Sequence, residues 1–133
     1  MAEDCIFCKI VAGELPAEKV DEDDRTLAFM DIAPATRGHT LVIPREHATD
    51  LLEIAQEDLA AVAHAAQDVA RRQKDRLGAD GVNLLNSCGR PAWQTVFHFH
   101  MHVIPRYEGD PLQLPVKPGA GGNDLAAVAE ELR

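Results

Sequence analysis

The stretch Gln94-Thr95-Val96-Phe97-His98-Phe99-His100-Met101-His102-Val103-Ile104-Pro105-Arg106 decides the fold. Histidine alternates with bulky apolar residues, and a strand sends successive side chains to opposite sides. The alternation predicts a strand at about residues 95–104, each two-residue step advancing about 6.7 Å. His98, His100 and His102 then share one face, and Phe97, Phe99, Met101 and Val103 share the other. The apolar set suits a sheet packed on a core, so the histidines face a cleft or a metal. Three of the chain's six histidines fall within these five positions, which core packing alone does not explain.

Outward from this strand, the pattern reads as one domain over residues 1–133. Residues 18–31 form a strand pair around the acidic turn Asp21-Glu22-Asp23-Asp24, with Leu27, Phe29 and Asp31 on one face. Thr40-Leu41-Val42-Ile43 is a third strand, stopped by Pro44. A helix from about residue 56 to Leu77 carries a stripe of Leu59, Val62, Ala66, Val69, Gln73 and Leu77, with Gly78 at its C-terminal cap. Gly81 to Asn86 is a fourth strand. Residues 107–133 read as a less regular tail, ending in a short helix capped by Asn123 with Leu125, Val128 and Leu132 inward. The expected fold is α+β, a five-stranded antiparallel meander with one long helix on a face.

The chain has 133 residues, 46% of them hydrophobic, enough for a core without disulfides. Its net charge of −9 argues against nucleic-acid and membrane-surface binding. No apolar run approaches the roughly 20 residues that span a bilayer. The start, Met1-Ala2-Glu3-Asp4, lacks a signal-peptide pattern, so a cytoplasmic location is expected. In that compartment the three cysteines read as metal ligands or thiols.

Three readings of the histidine face compete. It is a polar solvent face, a zinc site built from alternating imidazoles, or a nucleophilic site. Neutral imidazole attacks phosphorus, and neighbouring rings can orient it and supply protons. Cys5 and Cys8 have the spacing of a zinc half-site, although a chance pair of buried thiols fits as well.

The strand 94–106 resembles the signature of histidine-triad (HIT) hydrolases. The similarity extends through Cys5-Ile6-Phe7-Cys8-Lys9-Ile10, Phe29-Met30-Asp31-Ile32, Gly38-His39-Thr40-Leu41-Val42-Ile43-Pro44 and Asn86, in order. The resemblance implies hydrolysis at the α-phosphorus of an AMP-linked nucleotide through a nucleotidyl-His100 intermediate. His102, where a transferase branch has glutamine, donates to a phosphate oxygen. Thr95 and Gln94 hold the leaving group or phosphate oxygens. Asp31 accepts from the ribose hydroxyls, and Phe7, Ile10, Phe29, Ile32 and Leu41 enclose the base. Asn86 contacts phosphate or ribose.

The resemblance also implies a structural zinc held by Cys5, Cys8, His47 and His98, and a homodimer using the long helix and a sheet edge. His39 rivals His47 as a ligand but better matches a residue outside the metal site. His64 lies off the helix's apolar stripe and reads as solvated. Trp93 departs from the pattern, standing where glycine is usual. Two alternatives stay open: a hydrolase with zinc on the triad itself, and a non-catalytic nucleotide-binding scaffold.

Overall fold

The computed structural model describes residues 4–113 and 118–133. In chain order the elements are α1 (Ile6–Val11), β1 (Lys19–Glu22), β2 (Thr26–Met30), β3 (Thr40–Pro44), α2 (Gln56–Leu77), β4 (Gly81–Leu85), a 3-10 turn (Arg90–Ala92), β5 (Met101–Arg106) and α3 (Leu125–Leu132). The five strands make one antiparallel sheet, as expected, in the order β1-β2-β3-β5-β4. β1 to β3 run as a meander. α2 then crosses the sheet to its far edge, and β5 returns between β3 and β4.

α2 occupies the residues expected of it. Glu57 and Asp58 begin it and Lys74 and Arg76 end it, matching the helix dipole at both ends. Gly78 follows at φ 71°, a left-handed turn that costs glycine nothing. Val62, Ala66 and Val69 pack against Ala28, Val42, Phe99 and Val103 on one sheet face. Gln73, polar within this stripe, is buried because its Nε2 donates to the carbonyls of Gly38 and Val103. Gly38 has φ 98°, and a Cβ there would collide with Leu77. The helix end, the turn before β3 and β5 are thereby locked together.

The opposite face is covered by α1, which no periodicity announced. Phe7 and Ile10 pack on Leu27, Phe29, Leu41 and Ile43. Cys5 caps the helix, its Sγ accepting from the Cys8 N–H at 3.3 Å.

Two expectations are corrected. The strand called over 95–104 starts only at Met101. Its ladder with β3 ends at Val42↔Met101, and two residues beyond Val42 stands Pro44, which has no N–H to offer. The chain before Met101 bonds to the following loop instead: Phe99 N–H donates to Ala48 O at 2.7 Å, and His98 Nε2 to Pro44 O at 2.8 Å. The C-terminal helix exists, but its cap is Asp124, and Leu125, Val128 and Leu132 are exposed rather than inward. The stretch before it opens in an ordered turn, in which the Asp110 carboxylate accepts from Arg106, Tyr107 N–H and Leu112 N–H. Residues 114–117 of the expected tail lie outside the described residues.

Candidate active site

Strand register builds the site. Phe29 pairs with Leu41, and Leu41 with His102, so the three form a row on the face that α1 covers. Asp31 and His39 lie two residues farther along β2 and back along β3, on the same face. Asp31 N–H donates to His39 O at 3.1 Å, fixing the two opposite each other. Along this row runs a cleft of about 420 Å³, lined by Ile6, Phe7, Ile10, Leu15, Pro16, Ala17, Phe29, Met30, Asp31, Ile32, Leu41, Thr95, Val96, His100 and His102. That size suits one small organic ligand. Ile32 is wholly exposed at its mouth. Phe7 meets Phe29 edge-on at 5.5 Å and the His100 ring at 5.2 Å.

Two residues expected in contact with substrate, Gln94 and Asn86, are not among those lining the cleft. Gln94 is buried with its side chain spent on backbone: Oε1 accepts from Gly89 N–H, and Nε2 donates to Thr49 O and Val96 O. Asn86 donates through Nδ2 to His100 O, while its Oδ1 is buried without a hydrogen-bond partner among the described residues. Both residues position the backbone around His100 and Thr95.

Backbone groups assign the histidine tautomers. His100 Nδ1 lies 2.8 Å from His98 O, so this nitrogen carries the proton and Nε2 keeps its lone pair. The Ala35 N–H donates to His39 Nδ1 at 3.0 Å; a peptide N–H only donates, so this nitrogen is bare and the His39 proton sits on Nε2. His39 Nε2 lies 2.9 Å from His102 Nδ1 and donates to it. The His102 proton is thereby placed on Nε2. His39 thus sets the protonation of a residue in the cleft, a role missing from the sequence reading. Its signal was the same two-residue period: it precedes Leu41 by two and shares its face.

Burial lowers the basicity of every ring in the run. It pushes His102 down to about 4, helped by the neighbouring His100 and His39 and opposed by Asp31. His100 and His39 are lowered by burial, with Asp31 again opposing. Neutral rings are thus favoured near pH 7, leaving His100 Nε2 unprotonated.

The other end of the run is a separate cluster. Cys5, Cys8, His47 and His98 present donor atoms that all lie within 4.8 Å of one another. His98 Nδ1 stands 3.3 Å from Cys5 Sγ, 3.5 Å from Cys8 Sγ and 3.3 Å from His47 Nδ1; Cys8 Sγ stands 3.3 Å from His47 Nδ1. Zinc bonds of about 2.3 Å to sulfur and 2.0–2.1 Å to nitrogen imply tetrahedral N···S and N···N edges of about 3.5 and 3.4 Å. The four donors fit that ion. His98 Nε2 donates to Pro44 O, which leaves Nδ1 as the ligand atom, and burial pushes this imidazole down to about 4, toward the neutral form a metal requires. Asp31, His39 and His102 form a second group of donors within 4.8 Å of one another, and neither group contains all three triad histidines.

The HIT domain family matches residues 12–109. The chain is 50% identical to "Protein hit" of Bacillus subtilis over 110 residues, 82% of this chain and 76% of that protein. Its fold superposes on a Streptococcus mutans crystal structure with TM-score 0.93 at 41% identity, covering 99% of this chain and 85% of that one. A zinc-bound histidine triad family protein from Mycobacterium smegmatis gives TM-score 0.81 at 46% identity, covering 86% and 84%. A histidine triad nucleotide-binding protein from Candida albicans gives 0.83 at 32% identity, covering 97% and 94%. The chain, with its three alternating histidines and its Cys-x-x-Cys segment beside them, belongs to the HIT domain family.

Proposed function

We propose that the protein is a nucleotide hydrolase acting at the α-phosphorus of an AMP-linked substrate, a nucleoside phosphoramidate or a dinucleoside polyphosphate. The observation that carries this reading is the His100 ring, held by its Nδ1–H on the His98 carbonyl with a bare Nε2 beside the cleft. His100 Nε2 attacks phosphorus, the bond to the amine or phosphate leaving group breaks, and a nucleotidyl-histidine forms. Water then cleaves the P–N bond to His100 and releases the nucleoside monophosphate. His102 Nε2–H donates to a nonbridging oxygen as charge builds there. The Thr95 hydroxyl, exposed on the cleft wall, serves the phosphate or the leaving group.

In the same reading Phe7, Ile10, Phe29, Ile32 and Leu41 enclose the base, and Asp31 accepts from the ribose hydroxyls. Cys5, Cys8, His47 and His98 hold a structural zinc, which ties α1 to the segment leading into β5. Nucleotide binding is supported by the name of the Candida albicans relative, and the zinc by the Mycobacterium smegmatis one. A homodimer through α2 and the exposed edge strand β4, in the cytoplasm, completes the proposal. No helix among the described residues is long and apolar enough to cross a membrane.

Rapid quenching with labelled adenosine phosphoramidate and then diadenosine polyphosphate tests the chemistry. At least one substrate is expected to leave label on His100. No labelled histidine with either would overturn the mechanism, and binding of nucleoside monophosphate without any turnover would favour the scaffold reading.

A further inference from the structure

Asp31 stands where sugar recognition and phosphorus chemistry meet. Its Oδ1 accepts from the Ala33 N–H at 2.8 Å, which fixes the carboxylate plane. Its Oδ2 lies 3.5 Å from His39 Nε2 and 4.0 Å from His102 Nδ1. The His39 Nε2–H that donates to His102 therefore sits within reach of a second acceptor of full negative charge. The group is poorly solvated: His39 side-chain exposure is 6% and that of Asp31 18%. In such surroundings a charge 3.5–4 Å away acts far more strongly than in water.

We propose that Asp31 couples occupancy of the ribose subsite to the His39–His102 pair, so that sugar hydroxyls are sensed in the catalytic step and not only in binding. This rests on the reading of the cleft as a nucleotide site. With the subsite empty, Oδ2 competes with His102 Nδ1 for the His39 proton. Hydroxyls that donate to the carboxylate disperse its charge and satisfy its lone pairs. The His39 Nε2–H is then committed to His102 Nδ1, holding the His102 proton on Nε2, where the phosphate needs a donor. Asp31 acts here as a positioning residue through two rings, beyond its contact with the sugar.

Ring-nitrogen NMR of the zinc-loaded wild-type protein, titrated with adenosine and with 2′,3′-dideoxyadenosine, reads this coupling without any turnover. Adenosine is expected to shift the His39 and His102 ring nitrogens, and the dideoxy nucleoside to shift the Phe7 and Phe29 rings alone. Adenosine that shifts the phenylalanine rings and leaves both histidines at their free values would overturn the coupling while keeping the pocket. No shift at the phenylalanines with either nucleoside would overturn the pocket reading, and the coupling with it. In turnover of the corresponding phosphoramidates, Asp31→Asn is expected to raise kcat about tenfold, a modest coupling, on the dideoxy substrate, whose missing hydroxyls leave the wild-type carboxylate in competition for the His39 proton. KM is expected to rise on the ribo substrate only. An unchanged kcat on the dideoxy substrate would reduce Asp31 to a sugar ligand and sink the inference.

Discussion

His98 and His102 are four residues apart in one histidine run, yet their surroundings assign them opposite duties. Around His98 every donor is turned inward on a common point, and the second ring nitrogen is bound to Pro44 O. Around His102 one nitrogen is fixed by His39, and the ring lines the cleft. A closed set of donors holds structure together, while a set with one free position does chemistry. His100 separates the two regions and uses the carbonyl of the first to prepare its nitrogen for the second. Identical side chains therefore differ in surroundings through the groups that reach them, a backbone carbonyl and three further donors at His98 and the His39 ring at His102.

The largest effect that sharpens this contrast is expected from His100→Ala. Turnover falls by at least about 10⁴-fold, as for loss of an activated nucleophile, while zinc per chain, measured by elemental analysis, is unchanged. Loss of zinc with that variant would merge the two regions into one. Next is His39→Gln, which removes the ring that assigns the His102 proton. It lowers kcat by about 10²-fold with little change in KM, read by steady-state kinetics; equal rises in KM would make it a binding residue instead.

On the closed side, Cys8→Ser weakens the metal cluster and detaches α1 from the sheet. The melting temperature is expected to fall on the order of 10 °C by calorimetry of zinc-loaded protein. An unchanged melting temperature would remove the structural role from the cluster.

A smaller effect follows from pH. His102 binds its proton near pH 6.5 when unfolded and only near about 4 when folded. Between those values the unfolded chain carries more protons, so stability is full above about 6.5 and is lost as pH falls through about 4. Urea unfolding from pH 7 to 4 is expected to show a shallower loss in His102→Gln than in the wild type, since both keep the metal cluster. Parallel curves would place the acid sensitivity elsewhere. The smallest effect is expected at Trp93, exposed with φ 73°, the one described residue other than glycine with a positive φ. Trp93→Gly relieves about 1 kcal/mol of backbone strain, and denaturant midpoints measure it.

Much of the architecture was readable because periodicity reports burial. The helix 56–77 and the strands around Leu27, Val42 and Val82 follow from which side a residue faces, whereas pocket roles for Phe29, Asp31 and Leu41 came only from the family resemblance. What was not readable depends on backbone partners. Alternation through residues 95–100 mimicked a strand, although Pro44 denies that segment a ladder. Gln94 and Asn86 were read as substrate contacts through the family resemblance, and the backbone groups that their side chains bond, set by the surrounding loops, were not readable in the sequence. His39 was passed over because only the Ala35 N–H, four residues away, gives its ring a fixed proton. α1 has one turn and a half and owes its place to Phe7, Ile10 and two thiols, a pattern too short for any period to show.

The peptide groups of Ala35, Pro44 and His98 prescribe where four ring protons reside. A main-chain N–H or carbonyl survives substitution of its own side chain, so this assignment resists point mutation at residues other than the rings themselves and Asp31. Under the proposed reaction, residues lining the cleft can then drift toward new bases or leaving groups while the acid–base arrangement around His100 stays constant. In that reading the fold separates the reaction itself from an adjustable choice of substrate.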